Sequence, residues 1–189
     1  FGSFLNKLNK ELLIGRGFKL LRGLPIEDYS IETCAIIFCG IGSYLGSARS
    51  QNSSGHLLGH VRDTGADAKN FKTRIYQTNA RQSFHTDSCD AVGLLCLKKA
   101  KNGGSSMLAS SVTAYNEIAK RRPDLLPSLF EPVAYDRRGE NKKGEQEFFT
   151  IPVFNWFENH LTCIYHRTYV DSAQRFENAP KLTQGQKEA

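Results

Sequence analysis

Residues 74–118 read RIYQTNARQSFHTDSCDAVGLLCLKKAKNGGSSMLASSVTAYNEI and carry His85-Thr86-Asp87 near their centre. Side chains alternate across a strand, so on an extended segment positions i and i+2 share a face, about 6 to 7 Å apart along the backbone. An imidazole and a carboxylate so placed can grip one metal ion. A nitrogen donor beside an oxygen donor suits iron(II) or manganese better than a thiolate set does, and the pair begins a facial set of two histidines and one carboxylate. In a chain with 5 histidines His-x-Asp alone is a weak signal, and a surface pair with no metal is the competing reading. The surroundings weigh against it. Phe84 precedes the pair, an apolar run follows at 92–97, and Gly103 and Gly104 sit in a polar turn. A small-residue stretch then enters a helix near Thr113.

Taken in order, these features resemble the iron(II)- and 2-oxoglutarate-dependent dioxygenases of the taurine dioxygenase (TauD/TfdA) family. GSYLGSARSQNSSGHLLGHVRD at 42–63 and RPDLLPSLFEPVAYDRRGE at 122–140 look like members with clavaminate synthase-like architecture, so the resemblance covers most of the chain. It implies His85 and Asp87 as the first two metal ligands, Fe(II) as the cofactor, 2-oxoglutarate as cosubstrate and O2 as oxidant. Gly103-Gly104-Ser105-Ser106 matches the family's Gly-Gly-x-Thr/Ser turn, which gives Ser106 the role of binding a 2-oxoglutarate carboxylate. A serine hydroxyl donates the same hydrogen bond as threonine, although a plain β-turn accounts for the glycines equally well. The family completes its metal site with a distal histidine, followed by an arginine that clamps the other carboxylate of 2-oxoglutarate. YHRTYVDSAQRF at 165–176 looks like the family's middle segment, and KLTQGQKEA resembles the start of its next helix. The third ligand is therefore expected beyond Ala189, with the C-terminal portion outside this sequence.

Asn79 and Arg81 precede the metal pair at even spacing and are expected to contact substrate. Gln51 and Asn52 lie in a polar loop that similar enzymes bring near the substrate, and a surface loop explains them as well. His56 and His60 stand four residues apart, but Gly55 and Gly59 disfavour the helix that would pair them. Cys163 and His166 carry zinc-like spacing without a second pair, and alternation in a strand sends them to opposite faces.

The 189 residues, 40% apolar and 23% charged, are ordinary for one globular domain, expected to span 1–189. No run of eighteen apolar residues and no secretory series occurs, so a cytoplasmic protein without a membrane partner is the expectation. Five scattered cysteines read as reduced packing residues rather than a disulfide framework. The net charge of +6 is dispersed, with no basic stripe interleaved with aromatics, which sets nucleic acid aside; a small-molecule substrate is the expected partner, and the positive field suits a dianionic cosubstrate such as 2-oxoglutarate. A homo-oligomer stays open.

Apolar spacing predicts helices over 4–13 and 31–45, with a short strand at 18–21 between them. From residue 74 onward the pattern changes to short apolar runs, at 74–78, 92–97, 107–111, 148–154 and 161–165, interrupted by a helix at 112–122 and a charged loop at 137–146. The expected class is α+β, mainly β: a double-stranded β-helix, the jelly roll of cupin-like proteins, with flanking helices. The function this implies is oxidation of a small-molecule substrate, by hydroxylation, desaturation or cyclisation, with release of succinate and CO2. The alternative is a catalytically inactive jelly-roll module that binds an anionic ligand or a protein partner. A metal-dependent isomerase or hydrolase on a cupin-like barrel would need further clustered histidines, and none stands at suitable spacing.

Overall fold

The computed structural model describes residues 2–52, 54–70 and 72–189. They fall into two compact units, one running to Gly59 with Cys89–Gly104 added, the other made of His60–Ser88 and Ser105–Ala189.

In the first unit α1 (Gly2–Ile14) buries Leu5 and Leu8, which stand one turn apart as helical periodicity requires. The chain leaves it through Gly17 at φ +79°, whose N–H donates to the Glu11 carbonyl, a left-handed exit that glycine adopts without strain. Ser30 caps α2 (Ile31–Ser43) by accepting from the Thr33 N–H at 3.2 Å, and Cys34 is the buried residue of that helix. The strands expected at 18–21 and 92–97 do not form. A lone extended run has no ladder to satisfy its backbone groups. Leu20 and Leu94 accordingly stay exposed, and Gly93 instead lies close under the Phe38 ring.

In the second unit the run expected as a strand at 74–78 is a 3-10 turn, Ile75–Gln77, because the Gln77 side chain accepts from the Arg74 N–H at 3.1 Å and closes the backbone locally. The run at 107–111 forms no strand either. Ser110 spends its hydroxyl on the Thr113 N–H and starts α3 (Ser111–Arg121). A 3-10 turn at Pro123–Leu125 and α4 (Leu126–Phe130) lead into β1 (Pro132–Asp136). β1 pairs antiparallel with β2 (Phe148–Pro152), Tyr135 opposite Phe149 and Asp136 opposite Phe148. β3 (Phe154–Phe157) pairs with β4 (His160–Cys163). Glu158 and Asn159 between them both take positive φ, 46° and 65°, the twist a two-residue hairpin demands. The helices α5 (Arg167–Ala173) and α6 (Gln184–Glu188) follow. Among the described residues the β structure amounts to these two separate two-stranded antiparallel sheets, not a closed barrel. Among the described residues no helix is long and apolar enough to cross a membrane.

Alternation along β1 divides its side chains between two cores. Val133 and Tyr135 join Leu129, Val153, Phe154 and Val170 on one face, while Ala134 packs with Phe148, Ala173 and Ala179 on the other. The Tyr135 hydroxyl, buried with its ring, donates to the Ile164 carbonyl at 2.7 Å. Removing that hydroxyl in Tyr135→Phe leaves a buried carbonyl without its donor. The expected loss is about 1 kcal/mol, read as a lower urea midpoint at unchanged slope.

Candidate metal centre

His85 lies outside the named strands, in an isolated antiparallel bridge to His166 at the start of α5. Thr86 N–H donates to the Tyr165 carbonyl at 2.8 Å, and Tyr165 N–H donates back to Thr86 Oγ1 at 2.9 Å. The strand expected around the metal pair is thus reduced to one bridge, yet its bonds hold the backbone of His85 and Thr86 against the end of the β4 segment.

His85 Nδ1 is 2.8 Å from the Ser83 carbonyl. A carbonyl only accepts, so Nδ1 carries the hydrogen, and in the neutral ring Nε2 is left with its lone pair. Nε2 lies 3.1 Å from the Gln82 amide nitrogen and 3.9 Å from Asp87 Oδ1. A ring that donates one N–H to a backbone carbonyl and presents the other nitrogen outward is the arrangement metal-binding histidines use. With bonds of about 2.1 Å to each donor, one ion reaches two atoms up to about 4.2 Å apart, and neighbouring octahedral positions lie about 3.0 Å apart. The two donors therefore suit a single iron(II) in chemistry and span, after a rotation that brings them about 1 Å closer and releases Gln82. Among the described residues no set of three His, Cys, Asp or Glu side chains converges to hold a metal. His85 and Asp87 are thus two candidate donors side by side, with no third converging on them among the described residues.

Behind His85 stands a group that the sequence reading did not assemble. The His166 ring lies 4.8 Å from the His85 ring and stacks on Tyr169 at 3.9 Å, with 17° between planes. Arg74 donates to the Tyr169 hydroxyl and pairs with Glu140. Arg138 lies over the Tyr169 ring at 5.1 Å and donates to the Thr73 carbonyl at 2.6 Å. Arg138 is 6% exposed and takes φ 55°, a conformation that costs a non-glycine residue energy and persists only where the surroundings enforce it. Burial holds the His166 imidazole neutral, pushing its pKa down to about 4, and the charges of Arg138 and Arg74 act in the same direction. Cys163-x-x-His166 was the signal nearest to this group, and as a zinc spacing it pointed elsewhere.

The other sequence candidates are placed as follows. Asn79 and Arg81 are exposed, on the irregular segment before His85. Ser106 is exposed in a stretch without regular structure, and Gly103 and Gly104 both take positive φ, 67° and 72°, in keeping with a turn. Among the described residues no polar contact joins Asn79, Arg81 or Ser106 to the metal pair. In the first unit Asn52 closes its own loop, accepting from the N–H groups of Ser54 and His56 and placing its amide 3.0 Å from His56 Nδ1. The Gln51 amide donates to the Arg49 carbonyl at 2.9 Å. Ser53, in the same polar loop, lies outside the described residues.

A family model described as taurine catabolism dioxygenase TauD, TfdA family matches residues 5–187. The chain belongs to the TauD/TfdA family. Within it, the chain is 34% identical over 173 residues to an FR-33289 synthase of Streptomyces rubellomurinus, covering 90% of this chain and 51% of that protein. A taurine hydroxylase-like protein of Stachybotrys chartarum is 34% identical over 171 residues, 87% of this chain and 43% of that protein. A uridine-5'-phosphate dioxygenase of an Amycolatopsis species is 32% identical over 91 residues, 44% of this chain and 33% of its own length. This TauD/TfdA chain thus spans about half the length of the first of these relatives and less of the others.

Proposed function

We propose that this chain is the N-terminal and central portion of an iron(II)- and 2-oxoglutarate-dependent dioxygenase acting on a small molecule. The observation that carries the reading is the His85 ring, tied through Nδ1–H to Ser83 so that Nε2 faces the Asp87 carboxylate. In this reading His85 and Asp87 hold the iron, Ser106 binds a carboxylate of 2-oxoglutarate, and Asn79, Arg81, Gln51 and Asn52 are substrate contacts. The two hairpins are pieces of a double-stranded β-helix, the whole forming one domain with the portion that supplies the third ligand and the clamping arginine.

Bound iron would let O2 oxidise a substrate C–H bond while 2-oxoglutarate is decarboxylated to succinate and CO2. The chain's own part is to supply two donors, His85 and Asp87, and the third ligand, the cosubstrate and oxygen would take the other positions. Hydroxylation, desaturation and cyclisation are all outcomes of this chemistry, and an anionic small molecule agrees with the net charge of +6. The inactive binding module is not favoured, because the relatives carry the names of a synthase, a hydroxylase-like protein and a dioxygenase.

The test is anaerobic titration with iron(II) and 2-oxoglutarate, followed by the weak visible band of the chelated complex. We expect the band in protein that includes the portion beyond Ala189. Its absence there overturns the dioxygenase reading.

A further inference from the structure

We propose that His166 is a positioning residue for the His85 imidazole, fixing its ring and tautomer by packing against it, with Tyr169 as the brace behind. The proposal rests on the metal reading above for its consequence, although the packing itself does not.

The two side-chain hydrogen bonds of His85 run to Ser83 and Gln82, two and three residues back, and its side chain is 23% exposed. Contacts so local move with the segment that carries them, and residues 81–84 belong to no named helix or strand. What ties the ring to the rest of the second unit is His166, opposite it across the bridge, with the ring centroids 4.8 Å apart. His166 is itself well fixed. It caps α5, its carbonyl accepting from Tyr169 N–H at 2.9 Å and Val170 N–H at 3.1 Å. The first turn of that helix brings Tyr169 onto the same side, where the two rings stack. Tyr169 is then held by Arg74 at its hydroxyl and by Arg138 over its ring, the latter buried in a strained backbone conformation. The line of contacts runs from the buried Arg138 through Tyr169 and His166 to His85.

One detail separates positioning by the ring from hydrogen bonding. Among the described residues His166 Nδ1 is buried and has no hydrogen-bond partner. A nitrogen left so contributes nothing to His85 and is costly to bury, so the flat ring carries the role. Phenylalanine at 166 should therefore serve, and alanine should not.

The experiment reads the His85 ring by long-range proton–nitrogen NMR in the metal-free chain, together with cobalt(II) affinity by its visible spectrum, in protein that includes the portion beyond Ala189. In the unsubstituted protein His85 is expected in the single tautomer with hydrogen on Nδ1. His166→Ala should give averaged tautomers and weaken cobalt(II) binding about 10- to 100-fold, the range found when a ligand loses its supporting contact. His166→Phe should restore both readings. Arg74→Met, which loosens Tyr169 without touching His166, should move the His85 resonances the same way by less, and it decides the matter if His166→Ala does not fold. The proposal is overturned if neither His166→Ala nor Arg74→Met disturbs the His85 tautomer. It is overturned equally if His166→Phe loses cobalt(II) as completely as His85→Ala does, which makes His166 a ligand. If the variants disturb the His85 tautomer while the unsubstituted protein binds no cobalt(II), the packing role stands and the metal reading falls.

Discussion

His85→Ala is expected to abolish the visible band of the iron(II) and 2-oxoglutarate complex and to bring substrate-dependent succinate release to background. In the proposed site Nε2 of His85 is one of two donors from this chain, and its removal leaves Asp87, an exposed carboxylate, as the chain's remaining donor. A single solvated carboxylate holds a first-row divalent ion weakly. Loss of a contact that merely supports a ligand costs 10- to 100-fold in affinity, so loss of the ligand itself should cost more than about 100-fold. Asp87→Ala should behave in the same way, and Asp87→Asn nearly so, because the amide keeps the shape but surrenders the charge that draws the cation. Circular dichroism should stay unchanged in all three, since His85 and Asp87 stand outside both hydrophobic cores. An alanine variant at either position with undiminished iron affinity ends the proposal that these residues are ligands.

The elements that could be read from the chain alone were those whose signals are local. α1 and α2 follow from apolar spacing, expected at 4–13 and 31–45 and found at Gly2–Ile14 and Ile31–Ser43, and α3 lies within one residue of its expectation at both ends. The run expected as one strand at 148–154 divides into β2 and the start of β3 around Val153. Val153 is buried and its carbonyl accepts from Ile164 N–H at 2.9 Å. The strands expected at 74–78 and 107–111 gave way to local hydrogen bonds of the Gln77 and Ser110 side chains, and those at 18–21 and 92–97 failed for want of a partner, a non-local fact that periodicity does not contain. The same limit governs the site. His-x-Asp is legible because both ligands fall within three residues. The His166 ring behind it comes from a distant segment, joined by one backbone bridge. Arg138 is the sharpest case. Within DRRGENKKGE it reads as one more charge on a solvated loop, and it is 6% exposed, because the Thr73 carbonyl and the Tyr169 ring that receive it come from other segments.

Asp136→Asn should be the most destabilising polar substitution in the second unit. Asp136 ends β1 on the face it shares with Ala134, and its side chain is fully buried. Burial by itself would raise its carboxyl pKa. Hydrogen bonds from Arg175, from Ser172 Oγ at 2.5 Å and from the Arg138 N–H at 2.7 Å outweigh that and hold it below the ordinary carboxylate range. An amide in its place turns one accepting oxygen into a donor that faces other donors. Removing one partner of a fully buried ion pair costs about 3 to 5 kcal/mol. The Arg175 side chain is 37% exposed and can recover water, so the expected loss is smaller, about 2 to 3 kcal/mol in urea denaturation at pH 7. The pH dependence fixes the cause. A carboxyl whose folded pKa lies below its unfolded value of about 3.9 contributes its stability in full above that value and loses it as the pH falls through the folded pKa. The gap between Asp136→Asn and the unsubstituted chain should therefore narrow as the pH drops below about 4. Equal stability at pH 7 would show that Asp136 carries no net load. A gap that persists undiminished into acid would assign the loss to packing and leave the charge of Asp136 without a part in it.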